Sequence, residues 1–164
     1  MFSMVVDSVL KSRWMGLSTR RLRVLPLILL FCGAVSVVAV ACSDPDRAIR
    51  ERLNETDEER FMNGRRAANG CWVCHDLAGT VKKVGPSLLG VYGRRSGQAP
   101  GYNASPAMLS ASIVWDDRSL ALFLRNPTGF VPGNRMVSPG IENSQELADV
   151  IYYLRIVTQP GARE

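Results

Sequence analysis

Histidine is almost missing from this chain: His75 stands alone among 164 residues. A centre that needs two imidazoles is therefore excluded. Cysteine is scarce too. Of the four cysteines, Cys32 and Cys42 lie in or beside a long apolar run, which leaves Cys71 and Cys74 for a globular part. One closely spaced pair is too little for a disulfide framework. A closed zinc site wants four protein ligands, and Cys71, Cys74 and His75 are all that part has to offer. Strand-like alternation and internal repeats are absent as well. Basic residues are not interleaved with aromatics along a groove, so the chain lacks the footprint of a nucleic-acid binder.

Charge is unevenly distributed. The formal net charge is +5, but residues 1–41 supply +4 of it. Residues 44–60 carry −3 and residues 62–164 carry +4. A basic domain on an acidic stalk suits an acidic protein face as partner.

Val24 to Ala41 is uncharged and follows Arg20, Arg21 and Arg23. A basic start, an apolar stretch and small residues at its end form the layout of an export signal. Eighteen residues also sit at the lower limit of a membrane span. The basic flank precedes the run, so the following domain is expected outside the cytoplasm, on the periplasmic side of a bacterial cytoplasmic membrane. Three fates stay open for residues 1–42. Ala39-Val40-Ala41-Cys42 is similar to a lipobox, with Cys42 lipidated; Ala39-x-Ala41 is also a signal-peptidase pattern; or the run is retained as an anchor. Two of the three leave the protein membrane-tethered.

Residues 43–56 are polar and free of aromatics, and are expected to be a charged linker. The domain is expected over 57–164. Thr56-Asp57-Glu58-Glu59 has the form of a capping box, predicting a helix from Asp57 to about Asn69, ended by Gly70. Asp116-Asp117 predicts a short helix with Leu120, Phe123 and Leu124 on one face, limited by Pro127. Asn143 predicts a last helix bearing Leu147, Val150, Ile151, Leu154 and Val157, up to Pro160-Gly161. Three helices and long Gly/Pro loops are a poor interior for about 100 residues unless a flat apolar cofactor fills the centre.

Cys71-Trp72-Val73-Cys74-His75 is the Cys-x-x-Cys-His attachment signature of c-type haem. Two thiols add to the two vinyl groups, two residues span the gap, and the adjacent imidazole points at the iron. A redox Cys-x-x-Cys would open a helix in a βαβ unit, which the pattern lacks. With one histidine, methionine is the common second axial ligand, and it favours ferrous iron. Outside the leader stand Met62, Met108 and Met136. Met62 falls on the first predicted helix. Spacing favours Met136 over Met108, because Asn126 to Met136 holds the Pro and Gly of a rigid strap, but it leaves both open.

These residues together resemble class I cytochromes c of the mitochondrial and bacterial short-chain type, in a membrane-anchored bacterial form. The resemblance covers about residues 57–158. It rests on the haem motif, on Gly85-Pro86-Ser87-Leu88-Leu89-Gly90, on Gly93 through Tyr102, and on the Asn126-Pro127 to Met136 strap. It implies an all-α cytochrome c fold, three main helices and long loops wrapped around one covalent haem. It implies His75 and Met136 as the iron ligands, with Cys71 and Cys74 as the attachment thiols. Pro86 would accept a hydrogen bond from His75, Arg94 and Trp115 would lie near a haem propionate with Asn134 close by, and Tyr102 would belong to the cofactor loop. Three positions depart from the family: Ala67, Ala104 and Phe123 stand where aromatics or tyrosines are usual, with Phe61 expected to refill the first gap.

The function so implied is single-electron transfer and not catalysis. Peroxidase-like chemistry would need Met136 to dissociate. The expected partners are redox proteins, a cytochrome bc-type complex and a terminal oxidase, met through a basic rim of Lys82, Lys83, Arg94, Arg95 and Arg135. No small-molecule substrate is expected. A docked subunit of a larger membrane complex is the competing arrangement.

Overall fold

The structure, a computed structural model, describes residues 44–164. The leader and its three fates lie outside the described residues. Helices α1 (Arg47–Arg50), α2 (Glu55–Ala67), α3 (Cys71–Cys74), α4 (Pro106–Ser110), α5 (Asp117–Arg125), α6 (Pro127–Phe130) and α7 (Ser144–Val157) follow in order. A 3₁₀ turn, Ala68–Gly70, joins α2 to α3. Among the described residues no strand forms, only an isolated antiparallel bridge between Arg95 and Val114. No helix there is long and apolar enough to cross a membrane.

The three long helices are the predicted ones, with adjusted ends. Asn54, not Thr56, caps α2: its side chain accepts from the Asp57 N–H at 2.9 Å, and its amide donates to the Asp57 carboxylate at 2.8 Å. Asn is among the best cap residues, so it opens the helix two residues early. Gly70 does not end it. Its φ of −63° is helical, and the coil runs on through the cysteines until His75 turns extended. Asp116 and Ser119 form a reciprocal capping box on α5, and Leu120, Phe123 and Leu124 are its buried face. Asn143 accepts from two backbone N–H groups to open α7. The two short helices α4 and α6 fall in stretches read as loop. Each begins with a capping Ser105 or Asn126 followed by proline at the first helical position, a start signal visible in the sequence.

The core centres on the crossing of α2 and α7. Phe61 and Tyr153 are both fully buried and meet edge-on, with ring centroids 5.0 Å apart. Each contributes roughly 1.5–3 kcal/mol of apolar burial. The helices touch at Gly64, where a Cβ would lie 2.0 Å from the Asp149 carbonyl oxygen and 2.7 Å from the Tyr153 Cβ. Ala67 is half-buried, and Ala68 beside it is fully buried. Phe61 fills the crossing in place of an aromatic at Ala67.

The linker expected over 43–56 is corrected from Asp44 onward. Asp46 and Ile49 are buried. Asp46 lies 2.8 Å from the Arg163 guanidinium and 3.3 Å from that of Arg65, with the Tyr153 hydroxyl donating at 3.4 Å. Asp44 pairs with Arg50 at 2.8 Å and Arg65 at 2.9 Å. Burial pushes the Asp44 carboxyl up, but the Asp46 N–H and the two guanidinium groups outweigh it and hold it below the usual carboxylate range. The polar composition that reads as linker is the wiring of this network, whose partners are remote in sequence.

Gly64→Ala should cost about 3 kcal/mol, because α2 and α7 must separate to admit one methyl group. Denaturant unfolding of the haem-bound protein measures it; a loss under about 1 kcal/mol would mean that the crossing gives way easily.

Candidate haem site

Helix α3 is one turn long, so Cys71 and Cys74 lie three residues apart on one face. Both thiols are half-buried and outside any disulfide, and burial pushes the Cys71 thiol up. His75 leaves the helix with φ −121° and ψ 146°. Its Nδ1 lies 2.8 Å from the Pro86 carbonyl oxygen. A carbonyl can only accept, so Nδ1 carries the proton and Nε2 presents its lone pair. Burial lowers the pKa of His75 and Lys83 lowers it further, against the Pro86 bond that raises it; the ring is kept neutral.

Two contacts fix the ring. Gly85 packs against it so tightly that a Cβ would fall 2.4 Å from the imidazole Cε1. The Gly85 N–H donates to the Cys74 carbonyl at 2.8 Å, which places Pro86 over the histidine. Asp76 then organises the return of the chain. Its carboxylate accepts from Gly79 and Val81, both at 2.9 Å, and its carbonyl from Leu88 at 2.8 Å. Among the described residues no three His, Cys, Asp or Glu side chains converge as a metal cluster. The two thiols and the imidazole are thus not arranged around one point, as zinc would require.

Arg94 turns inward. Its guanidinium donates to the Leu89 and Ser87 carbonyls at 2.9 and 3.1 Å and pairs with no carboxylate among the described residues. Burial lowers its pKa. A partly buried cation without an anion has room for one. Trp115 is brought beside it by the backbone: the Trp115 N–H donates to the Arg94 carbonyl at 3.0 Å, and Gly93 donates to the Trp115 carbonyl at 2.9 Å. The indole is buried and leans on Phe123, centroids 5.2 Å apart. Arg94 therefore leaves the expected basic rim.

The strap from Asn126 to Gly140 is held by Asn134. Its Nδ2 donates to the Pro127 and Val131 carbonyls, both at 2.8 Å, and its Oδ1 accepts from the Met136 N–H at 2.7 Å. Both amide hydrogens are spent on the strap, and the side-chain oxygen holds the backbone of Met136. Gly140 closes the strap with φ 90°, where a Cβ would lie 2.1 Å from the Arg125 carbonyl oxygen. Met136 is half-buried against the core, as are Met108 and Met62. Tyr102 spends its hydroxyl on the Val84 carbonyl at 3.3 Å, which ties the loop around 102 to the chain beside Gly85. Ala104 is buried without a hydroxyl to offer.

Asp76 was not singled out in the sequence, and Gly85 and Ser87 entered only as part of the family's loop motif, without a role. The Gly-Pro pair at 85–86, ten and eleven residues from the histidine, was the available signal. The residues fit a haem: two thiols on one face, a neutral imidazole with its Nε2 lone pair unspent, and a cation without a counter-ion.

A family model described as Cytochrome c matches residues 61–158. Cytochrome c of Euglena viridis is 46% identical over 82 residues, covering 50% of this chain and 80% of its own length. Cytochrome c2 iso-1 of Magnetospirillum molischianum is 43% identical over 93 residues, covering 56% of this chain and 93% of its own. The solved structure of cytochrome cH from Methylobacterium extorquens is similar with a TM-score of 0.55 and 36% identity, over 58% of this chain and 96% of that one. The helical fold and the site define a class I c-type cytochrome. The chain belongs to the cytochrome c family: it is a haem electron carrier with one covalent haem c, and not an enzyme.

Asn134→Ala removes three hydrogen bonds that hold the strap. Unfolding free energy should fall by about 1–3 kcal/mol, and the Met136 amide should exchange faster with solvent while the α7 amides do not. Unchanged exchange at Met136 would show that the strap is held by something else.

Proposed function

We propose that this protein passes single electrons between membrane respiratory complexes at the outer face of a bacterial cytoplasmic membrane, with His75 and Met136 as axial ligands and the N-terminal segment, or a lipid on Cys42, as its tether. The observation that carries the ligand assignment is the hydrogen bond from His75 Nδ1 to Pro86, which commits the chain's one imidazole to bind through Nε2. The bound haem supplies a one-electron iron couple. The protein residues do the rest. Pro86 orients the imidazole and raises its donor strength. Met136 is delivered by a strap locked at Asn134 and Gly140, and a thioether there favours the ferrous state. Arg94 offers a positive charge to a propionate, and buried Trp115 and Phe123 exclude water.

A docking face lies beside the attachment helix. Val73, Val81, Val84 and Val137 are exposed, Val137 completely. Lys82 and Lys83, between Val81 and Val84 in sequence, and Arg135, two residues before Val137, are exposed and have no ionic partner among the described residues. Such a patch suits a small, transient contact with an acidic redox protein. A cytochrome bc-type complex as donor and a terminal oxidase as acceptor are partners of that kind.

The oxidised protein should show the weak long-wavelength band of a methionine–iron bond at neutral pH. Met136→Ala should abolish it and Met108→Ala should leave it. A missing band, or one removed by Met108→Ala, overturns the assignment.

A further inference from the structure

We propose that residues 44–53 form a clasp which fixes where the tether leaves the domain, so that the protein exchanges electrons with a redox protein held beside it in the same membrane and does not range over the surface on a flexible stalk. This rests on the tethered reading above.

The clasp has partners on three remote segments. Asp46, fully buried, engages Arg65 of α2, Tyr153 of α7 and Arg163 near the C-terminus. Arg50 joins Asp44 to Glu58 of α2, at 2.8 and 2.9 Å. Arg52 donates to the Glu164 carbonyl at 3.1 Å, and Ile49 is in the core. A stalk in water has no reason to bury a carboxylate. Here the desolvation of Asp46 is offset only while both guanidinium groups are in place. The clasp also reaches the attachment motif: the Arg163 guanidinium lies 5.2 Å over the Trp72 ring, between the two cysteines in sequence. One Arg163 nitrogen is buried without a hydrogen-bond partner, so the Asp46 contact and the indole face are what hold that side chain.

The consequence is one of reach. A free linker over residues 43–56 would extend to roughly 45–50 Å. With the chain fixed from Asp44, residues 44–56 no longer contribute to that reach. A tether that short gives a high effective concentration toward a neighbour it can meet and almost none toward sites it cannot span.

The test is amide hydrogen exchange of the full, haem-loaded chain in detergent micelles, read by mass spectrometry. Peptides over 44–53 should exchange about as slowly as those of α2. Asp46→Asn and, separately, Arg163→Gln should each speed exchange in 44–53 by about a hundredfold while the methionine–iron band stays intact. Exchange in 44–53 at the rate of an unstructured chain in the unaltered protein overturns the clasp. Intact mass of the mature chain reads the tethered reading separately: a retained apolar run or a lipid on Cys42 supports the short reach. A chain starting at or near Cys42 with no lipid overturns it, whatever the exchange shows.

Discussion

The hydrogen bond from His75 to the Pro86 carbonyl is the constraint on which the rest of this structure depends. It settles which nitrogen is protonated, and so which one keeps a lone pair free for a metal. It can form only because Gly85 lets the returning chain lie against the imidazole, where any side chain would collide with the ring. Asp76 and Ser87 hold that return in place, Asp76 by accepting backbone N–H groups and Ser87 by donating to the Gly79 carbonyl at 2.5 Å. The one imidazole is thus fixed by a loop whose own conformation is held by hydrogen bonds. That is how long irregular segments can be precise without sheet or helix.

The loops bind two halves of a cofactor site onto one helical frame. The α2–α7 crossing carries the attachment helix at the end of α2, while α5 and α6 carry the strap. Between them, Arg94 and Trp115 are joined through the only β-bridge among the described residues. The arrangement explains the shortage of conventional core for this length. A haem is a large apolar plane, and the family's covalent attachment makes it a permanent part of the interior. Arg94 turns inward, Trp115 is buried beside it and Asn134 locks the strap that bears Met136.

Much of this was legible in the sequence because it is local. Capping residues, Gly–Pro punctuation and apolar spacing placed α2, α5 and α7, and Cys-x-x-Cys-His named its own chemistry. His75 was singled out by being alone. The Pro86 contact came only through family resemblance, since a backbone carbonyl leaves no side-chain trace. The resemblance placed Asn134 in the strap, but its three short-range hydrogen bonds there were not legible, because a spacing argument does not count donors. The clasp was invisible for a different reason. Asp46, Arg65 and Arg163 are more than a hundred residues apart at the extremes. A polar stretch looks the same in sequence whether its charges are solvated or buried against one another.

The most direct measurement is nuclear magnetic resonance of the imidazole nitrogens of His75 in the reduced, diamagnetic protein. One slowly exchanging proton on Nδ1 and none on Nε2 is predicted, with the Nδ1 proton surviving at neutral pH because burial and the Pro86 carbonyl shield it. A proton found on Nε2, or an Nδ1 proton exchanging at the rate of a solvent-exposed imidazole, would contradict the tautomer from which the ligand assignment follows.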